Sequence, residues 1–128
     1  MSNIDELQFD ISFLELHKQR VYIAGPITGY PGWNKAAFTT MEVKLQSLGH
    51  DTINPNNSNC VAGPFDRYTD WLRRDIIFML SVTVVVFLPG WRESRGSKME
   101  FAIAKGLGLP TWEVKGSIVT PLLKGGSK

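Results

Sequence analysis

The chain has 128 residues, close to one domain at the usual size of roughly 150 residues. Its formal charge of +2 argues against a dedicated nucleic-acid binder, because such proteins concentrate Lys and Arg. A hydrophobic content of 43% with 12 glycines excludes disorder over most of the chain. The single cysteine, Cys60, excludes an intramolecular disulfide and a cysteine-based zinc site, and it indicates a reducing compartment.

No segment is typical of export or membrane insertion. Residues 1–10 carry acidic side chains instead of a basic region followed by an apolar stretch. The longest apolar run, 76–88, has 13 residues and is interrupted by Ser81 and Thr83, whereas a spanning helix needs about 20. We therefore expect a soluble, cytoplasmic protein with no membrane partner.

Strands and helices are predicted to alternate from residue 20 onward. In chain order these elements are strand 20–24, helix 33–48, strand 51–54, helix 66–80, strand 82–88, helix 97–107, strand 109–114 and helix 118–124. Strand 82–88 contains four valines and is expected at the centre of a sheet, buried on both faces. The alternation predicts one α/β domain over residues 1–128, a three-layer sandwich around a central parallel sheet. Residues 1–18 form an N-terminal extension, in which 4–18 fit both helical and strand spacing, and 125–128 form a flexible tail.

Two loops, 25–32 and 90–96, contain more residues with candidate functional roles than simple connections need. Ligands of an open parallel sheet bind beyond the carboxyl ends of its strands. The spacings of the P-loop and of the dinucleotide fingerprint both fail here. Ser94, Gly96 and Ser97 lie where the predicted helix begins, so its amides and dipole could bind an anion, with Arg92 nearby. Helix capping is the alternative for these residues.

Two carboxylates, Glu100 and Asp75, are candidate catalytic groups. Glu100 lies in the predicted first turn, three residues after Ser97. It either completes a capping box or is kept ionised for attack on an electrophilic carbon. Asp75 is either a surface charge paired with neighbouring arginines or a second acid in the site. Two carboxylates facing one site suit chemistry at the anomeric carbon of a sugar.

Trp33 and Trp91 lie in or beside the two loops. Each indole could pack in the core or stack on a base. Packing and base contact are equally open for Trp33, and Trp91 is assigned to the rim of the pocket.

Four segments in order resemble the nucleoside 2-deoxyribosyltransferase-like superfamily. They are Tyr-Ile-Ala-Gly-Pro-Ile-Thr-Gly at 22–29, Arg-Asp-Ile at 74–76, Ser-Arg-Gly-Ser-Lys-Met-Glu at 94–100 and Ala-Lys-Gly-Leu-Gly-Leu-Pro at 104–110. The resemblance runs from about residue 21 to 112 and is strongest to small phage and bacterial proteins of the DUF4406 type. Next come the 2-deoxynucleoside 5-phosphate N-hydrolases. It implies a flavodoxin-like fold and an N-glycosidic reaction on a (deoxy)nucleoside or its 5-monophosphate.

The resemblance also implies a role for particular residues. Glu100 matches the nucleophilic glutamate, and Asp75 matches the aspartate that contacts the sugar and assists protonation of the base. Tyr22 matches an active-site tyrosine beside that glutamate. Ser94 matches a serine that binds the 5-phosphate, and Gly25 matches a glycine that lets the first loop approach the ligand.

Other parts of the site follow the family less closely. Pro26 and Thr28 stand where the hydrolases tend to have Ser and Arg, although both, with Ile27, are expected to contact substrate. Arg92 or Arg95 could supply the missing basic contact. The resemblance implies no metal and no cofactor, a small-molecule substrate, and a homodimer or larger assembly.

The sequence thus predicts an N-glycosidase or deoxyribosyltransferase. The alternative is a non-catalytic module that binds or senses a nucleotide in the same pocket. The presence of both carboxylates together with Tyr22 favours the enzyme.

Overall fold

A computed structural model describes residues 6–57 and 68–122 of the chain. These ranges contain a mixed α/β arrangement, with a one-turn 3-10 helix, Trp91–Glu93, and a short kinked segment, Pro31–Asn34, besides the regular elements. The strands are β1 (Gln8–Phe9), β2 (Arg20–Ala24), β3 (Asp51–Ile53), β4 (Val84–Phe87), β5 (Thr111–Lys115) and β6 (Ile118–Pro121). The α-helices are α1 (Ile11–Leu14), α2 (Lys35–Ser47), α3 (Tyr68–Met79) and α4 (Arg95–Leu107). Within the described ranges, no helix combines the length and the apolar character needed to cross a membrane.

One curled sheet contains all six of these strands, in the order β1-β6-β5-β4-β2-β3. Neighbouring strands are parallel except for β5 and β6, which are antiparallel. The predicted helix over 118–124 is therefore wrong, because its first residues form β6. Gly116 has a φ of +65°, which glycine adopts easily, and the tight turn returns the chain alongside β5. The sheet is mostly parallel, not wholly parallel as expected.

The N-terminal segment is part of the fold. Gln8 and Phe9 pair with Ile118 and Val119 of β6. Asp10 then caps the short helix α1 by accepting a hydrogen bond from the Ser12 backbone N–H at 2.9 Å. The described part of this segment contains a two-residue strand followed by a single helical turn, so neither spacing alone describes it. Residues 1–5 and the predicted tail 125–128 lie outside the described residues.

Strand β4 lies between β2 and β5 and is buried along its whole length, which confirms the prediction for the valine-rich strand. Its side chains alternate between two core clusters. Val84 and Val86 pack with residues of α1 and α2, whereas Val85 and Phe87 pack with residues of α3 and α4. Strand β2 alternates in the same way, so Tyr22 faces the cluster that contains α3 and α4.

Candidate active site

Tyr22, Asp75 and Glu100 come together on the α3 and α4 side of the sheet. The Tyr22 hydroxyl donates a hydrogen bond to Glu100 Oε2 at 2.6 Å. The Asp75 carboxyl lies close enough for its charge to raise the pKa of both Tyr22 and Glu100. One strand and two helices thus supply three polar side chains to one buried cluster, as the sequence predicts.

Helical periodicity explains why the two acids face inward. The buried residues of α4 are Ser97, Glu100 and Ala104, which follow the three- and four-residue spacing of one helix face. On α3, Asp75 precedes the buried Met79 by four residues. Each carboxyl group therefore lies on the face that packs towards the sheet. Glu100 is only 5% exposed.

Glu100 lies deeper in its helix than the sequence predicts. Helix α4 begins at Arg95, and its cap is Ser94, whose side chain accepts a hydrogen bond from the Ser97 N–H at 3.2 Å. The predicted capping box of Ser97 and Glu100 is therefore wrong, because Glu100 lies in the second turn. The first turn contains no acidic residue, so the helix N-terminus does little to keep Glu100 ionised.

Burial and mutual repulsion favour the protonated form of Glu100 over that of Asp75. Burial, followed by the negative charge of Asp75, raises the pKa of Glu100 well above its ordinary value. Burial also raises the pKa of Asp75, but the hydrogen bonds and positive charge of Arg74 oppose this increase. Burial and the neighbouring Glu100 raise the pKa of Tyr22, so its hydroxyl stays protonated and donates. The raised pKa of Glu100 thus opposes the ionised form that the sequence analysis considers.

Arg74 is the site residue that sequence reasoning assigned no role of its own. Its guanidinium contacts Asp75 Oδ1 through Nε at 3.2 Å and Nη2 at 2.9 Å. It also donates to the Pro55 carbonyl at 2.8 Å and stacks over Trp71 at 4.7 Å. The side chains of Arg74 and Asp75 are only 11% and 16% exposed. Asp75 is thus paired with an arginine, as one alternative held, but the pair is inside the site and not on the surface.

The matched family pattern covers all three site elements. Residues 19–112 match the family described as a domain of unknown function, DUF4406. The chain belongs to the DUF4406 family. No curated protein matches the sequence significantly. Across the described part of this DUF4406 chain, no group of three or more His, Cys, Asp or Glu side chains could hold a metal ion.

The first loop of the DUF4406 domain has both packing and exposed positions. A Cβ added to Gly25 would lie 2.8 Å from Leu88 Cβ, so glycine is needed there for close packing with the chain after β4. The Pro26 carbonyl accepts a hydrogen bond from Asn34 Nδ2 at 2.7 Å. Ile27 packs against the α1 and α2 cluster, and Thr28 is exposed.

Trp91 and Arg92 contact a buried acid that the sequence analysis did not single out. Trp91 is buried and packs against Phe87 and Phe101, with ring centroids 4.7 Å and 5.1 Å away. Its indole Nε1 donates to Glu113 Oε1 at 3.1 Å, and Arg92 donates to the same oxygen at 2.8 Å. The placement of Trp91 at a pocket rim is wrong, because its ring is part of the core. Arg92 thus pairs with Glu113, although more than half of its side chain is exposed.

The N-terminus of α4 contains the remaining predicted contacts. Ser94 acts as the cap, which is the structural alternative, and Gly96 lies half-buried in the first turn. Ser97 is 1% exposed. No partner for its Oγ occurs among the described residues. Trp33, by contrast, lies exposed in the loop before α2.

Proposed function

We propose that this protein cleaves or transfers the N-glycosidic bond of a (deoxy)nucleoside or its 5-monophosphate. The observation that carries the proposal is the buried cluster in which Tyr22 donates to Glu100 and Asp75 interacts with both. Reaction at an anomeric carbon with retention needs one carboxylate as nucleophile and a proton donor for the leaving group. The resemblance to the nucleoside 2-deoxyribosyltransferase-like superfamily assigns these roles to Glu100 and Asp75.

A shared proton suits this reaction because it serves both carboxyl groups in turn. The raised pKa of Glu100 favours a proton there in the free protein, and Arg74 favours the ionised form of Asp75. When a nucleoside places C1 beside Glu100 and its base beside Asp75, the proton passes from Glu100 through Asp75 to a base nitrogen. The C1–N bond then breaks with its electron pair on the base, and the ionised Glu100 forms an ester to C1. Leaving-group protonation and nucleophile activation are thus one proton transfer.

The second half-reaction restores the free enzyme. Water, or a second base in the transfer reaction, attacks C1 and breaks the ester. The proton lost by the attacking group returns to the carboxyl pair, and the sugar keeps its original configuration after two inversions. Throughout, the Tyr22 hydroxyl remains a donor to Glu100, because its raised pKa prevents ionisation.

The start of α4 supports acceptance of a 5-monophosphate. Exposed amides at a helix N-terminus favour anions, and the buried Ser97 Oγ lacks a partner among the described residues. Arg92 is not part of this binding, because Glu113 engages its guanidinium.

We extend the proposal to the fold and the assembly. Helices α1 and α2 contribute to one core cluster and α3 and α4 to the other, which supports a flavodoxin-like three-layer sandwich. The superfamily resemblance leads us to expect a homodimer or a larger assembly, which sedimentation or light scattering will measure.

The test is release of free base from a panel of nucleosides and 5-monophosphates, followed by chromatography. We expect wild type to release base and Glu100→Ala to release none while retaining its circular dichroism spectrum. Glu93→Ala is the matched control, because Glu93 is exposed in the preceding one-turn helix, and it should keep full activity. If wild type and Glu100→Ala bind a nucleotide equally and neither releases base, the protein is a binding or sensing module.

A further inference from the structure

Three consecutive residues before α2 adopt left-handed backbone conformations. Gly32, Trp33 and Asn34 have φ values of 58°, 58° and 62°. Glycine accepts this region freely and asparagine tolerates it, but a bulky L-residue such as tryptophan is strained there. Strain of this kind persists only where the surrounding structure imposes it.

Side-chain amides on both sides of Trp33 hold this conformation. Asn34 Nδ2 donates to the Pro26 carbonyl at 2.7 Å, which ties the segment to the loop after β2. Asn56 Nδ2 donates to the Trp33 carbonyl at 2.7 Å, which ties it to the loop after β3. Two loops therefore fix the backbone from which the indole projects.

Packing does not explain the strain at Trp33. Its side chain belongs to neither core cluster, and the residue is 58% exposed. An aromatic ring left in water gains little from burial. A strained backbone that presents an exposed indole is better explained by a ligand that covers the ring.

The same loop connects Trp33 to the carboxyl pair. Asn56 holds the Trp33 carbonyl, and the adjacent Pro55 carbonyl accepts the hydrogen bond from Arg74. Arg74 in turn contacts Asp75. Trp33 is therefore anchored to the side of the site where Asp75 lies, which is where the proposed mechanism places the leaving base.

We propose that Trp33 is the specificity-determining residue that stacks on the base of the substrate. This inference rests on the proposed function, which supplies the base. A flat heteroaromatic ring is the ligand group that matches an exposed indole face. A two-ring purine overlaps the indole more than a one-ring pyrimidine does, so Trp33 contributes more to binding of purine substrates.

The test uses Trp33→Gly, because glycine removes the indole and also relieves the left-handed strain. We expect a melting temperature equal to or above that of wild type. We also expect KM for purine substrates to rise about fivefold or more, the lower end of what base–aromatic stacking contributes. The change for pyrimidines should be smaller and kcat should hardly change. Trp33→Phe keeps a smaller ring and should restore part of the affinity.

Binding in the Glu100→Gln background separates this inference from the proposed function. Calorimetry with deoxyadenosine and deoxycytidine 5-monophosphates measures affinity without turnover. If wild type releases no base but Trp33→Gly weakens purine binding, the stacking role holds and the glycosidic reaction is refuted. If wild type releases base and Trp33→Gly leaves KM and binding unchanged, the stacking role is refuted. A large loss of melting temperature in Trp33→Gly would also refute it, because that loss would assign the indole to packing.

Discussion

Arg92→Ala tests how far a buried acid depends on one exposed guanidinium. The Glu113 side chain is 5% exposed, whereas that of Arg92 is 57% exposed. Arg92 donates to Oε1 at 2.8 Å and to Oε2 at 3.3 Å. Removal of Arg92 leaves, among the described residues, the Trp91 indole N–H as the side-chain donor to this carboxylate.

Two reference values bear on the loss of folding stability in Arg92→Ala, and the exposure of Arg92 favours the lower one. A hydrogen bond to a charged group contributes about 1.5–3 kcal/mol, and breaking a fully buried ion pair costs about 3–5 kcal/mol. Because Arg92 is half in water, its contribution is screened, and we expect about 2 kcal/mol. For a chain of 128 residues, the usual unfolding entropy converts about 2 kcal/mol into a decrease of about 7 °C in Tm.

A double substitution provides a sharper test, because the buried charge predicts the direction in which it changes the stability of Arg92→Ala. Arg92→Ala strands a buried charge, whereas Glu113→Gln added to it replaces that charge with a neutral amide that Trp91 can still contact. We therefore expect the double variant to be more stable than Arg92→Ala alone in thermal and urea denaturation. The control is Arg73→Ala on α3, because Arg73 is exposed, and its effect should be within about 0.5 kcal/mol. A double variant less stable than Arg92→Ala would refute the buried-charge argument.

Three further predictions concern the site and its support. The raised pKa of Glu100 contributes stability that is complete below pH about 4.5 and is lost as pH rises. Glu100→Gln should therefore raise Tm at pH 8, and it should also abolish base release. An equal Tm difference at pH 4 and pH 8 would contradict this. Gly25→Ala should cost about 1–3 kcal/mol in urea denaturation, since its Cβ would meet Leu88, and an unchanged midpoint would remove the packing argument. Ser94→Ala should cost about 1 kcal/mol as a lost cap and raise KM for monophosphates more than for nucleosides. Equal KM changes would limit Ser94 to capping.

Local sequence patterns predict the central elements well. Four valines followed by Pro89 and Gly90 indicate β4, because a valine-rich segment suits a strand buried on both faces. Helical spacing likewise places α2 and α3 within a few residues of their observed bounds. The edges are harder, since β1 has two residues and α1 four, too few to show a period. Strand β6 forms because it pairs with β5, and the residues of β6 by themselves do not indicate this pairing.

The candidate site likewise has features that the sequence predicts and features that depend on tertiary contacts. Tyr22, Asp75 and Glu100 can be selected from the sequence because their residue types and order carry the resemblance. The raised pKa of Glu100 cannot be predicted from the sequence, since it depends on burial and on the neighbouring Asp75. The contact of Arg92 with Glu113 joins residues from different elements, so the sequence leaves Arg92 free to bind an anion. Spacing within one helix also misplaced the start of α4, because Ser94 and Ser97 are both competent caps.

The pairing of β1 with β6 has a consequence for how the molecule opens. These two strands come from positions more than a hundred residues apart, and within the described ranges their register contains two residue pairs, those of Gln8 and Phe9. Because this pairing is so short, it should open at a lower free energy than the rest of the sheet. Amide hydrogens there should therefore exchange with solvent first. The β1–β6 pair lies at the opposite edge of the sheet from β3, and strands β5 and β4 separate β6 from β2. Transient detachment of β1 should therefore leave Tyr22 and its acidic neighbours undisturbed.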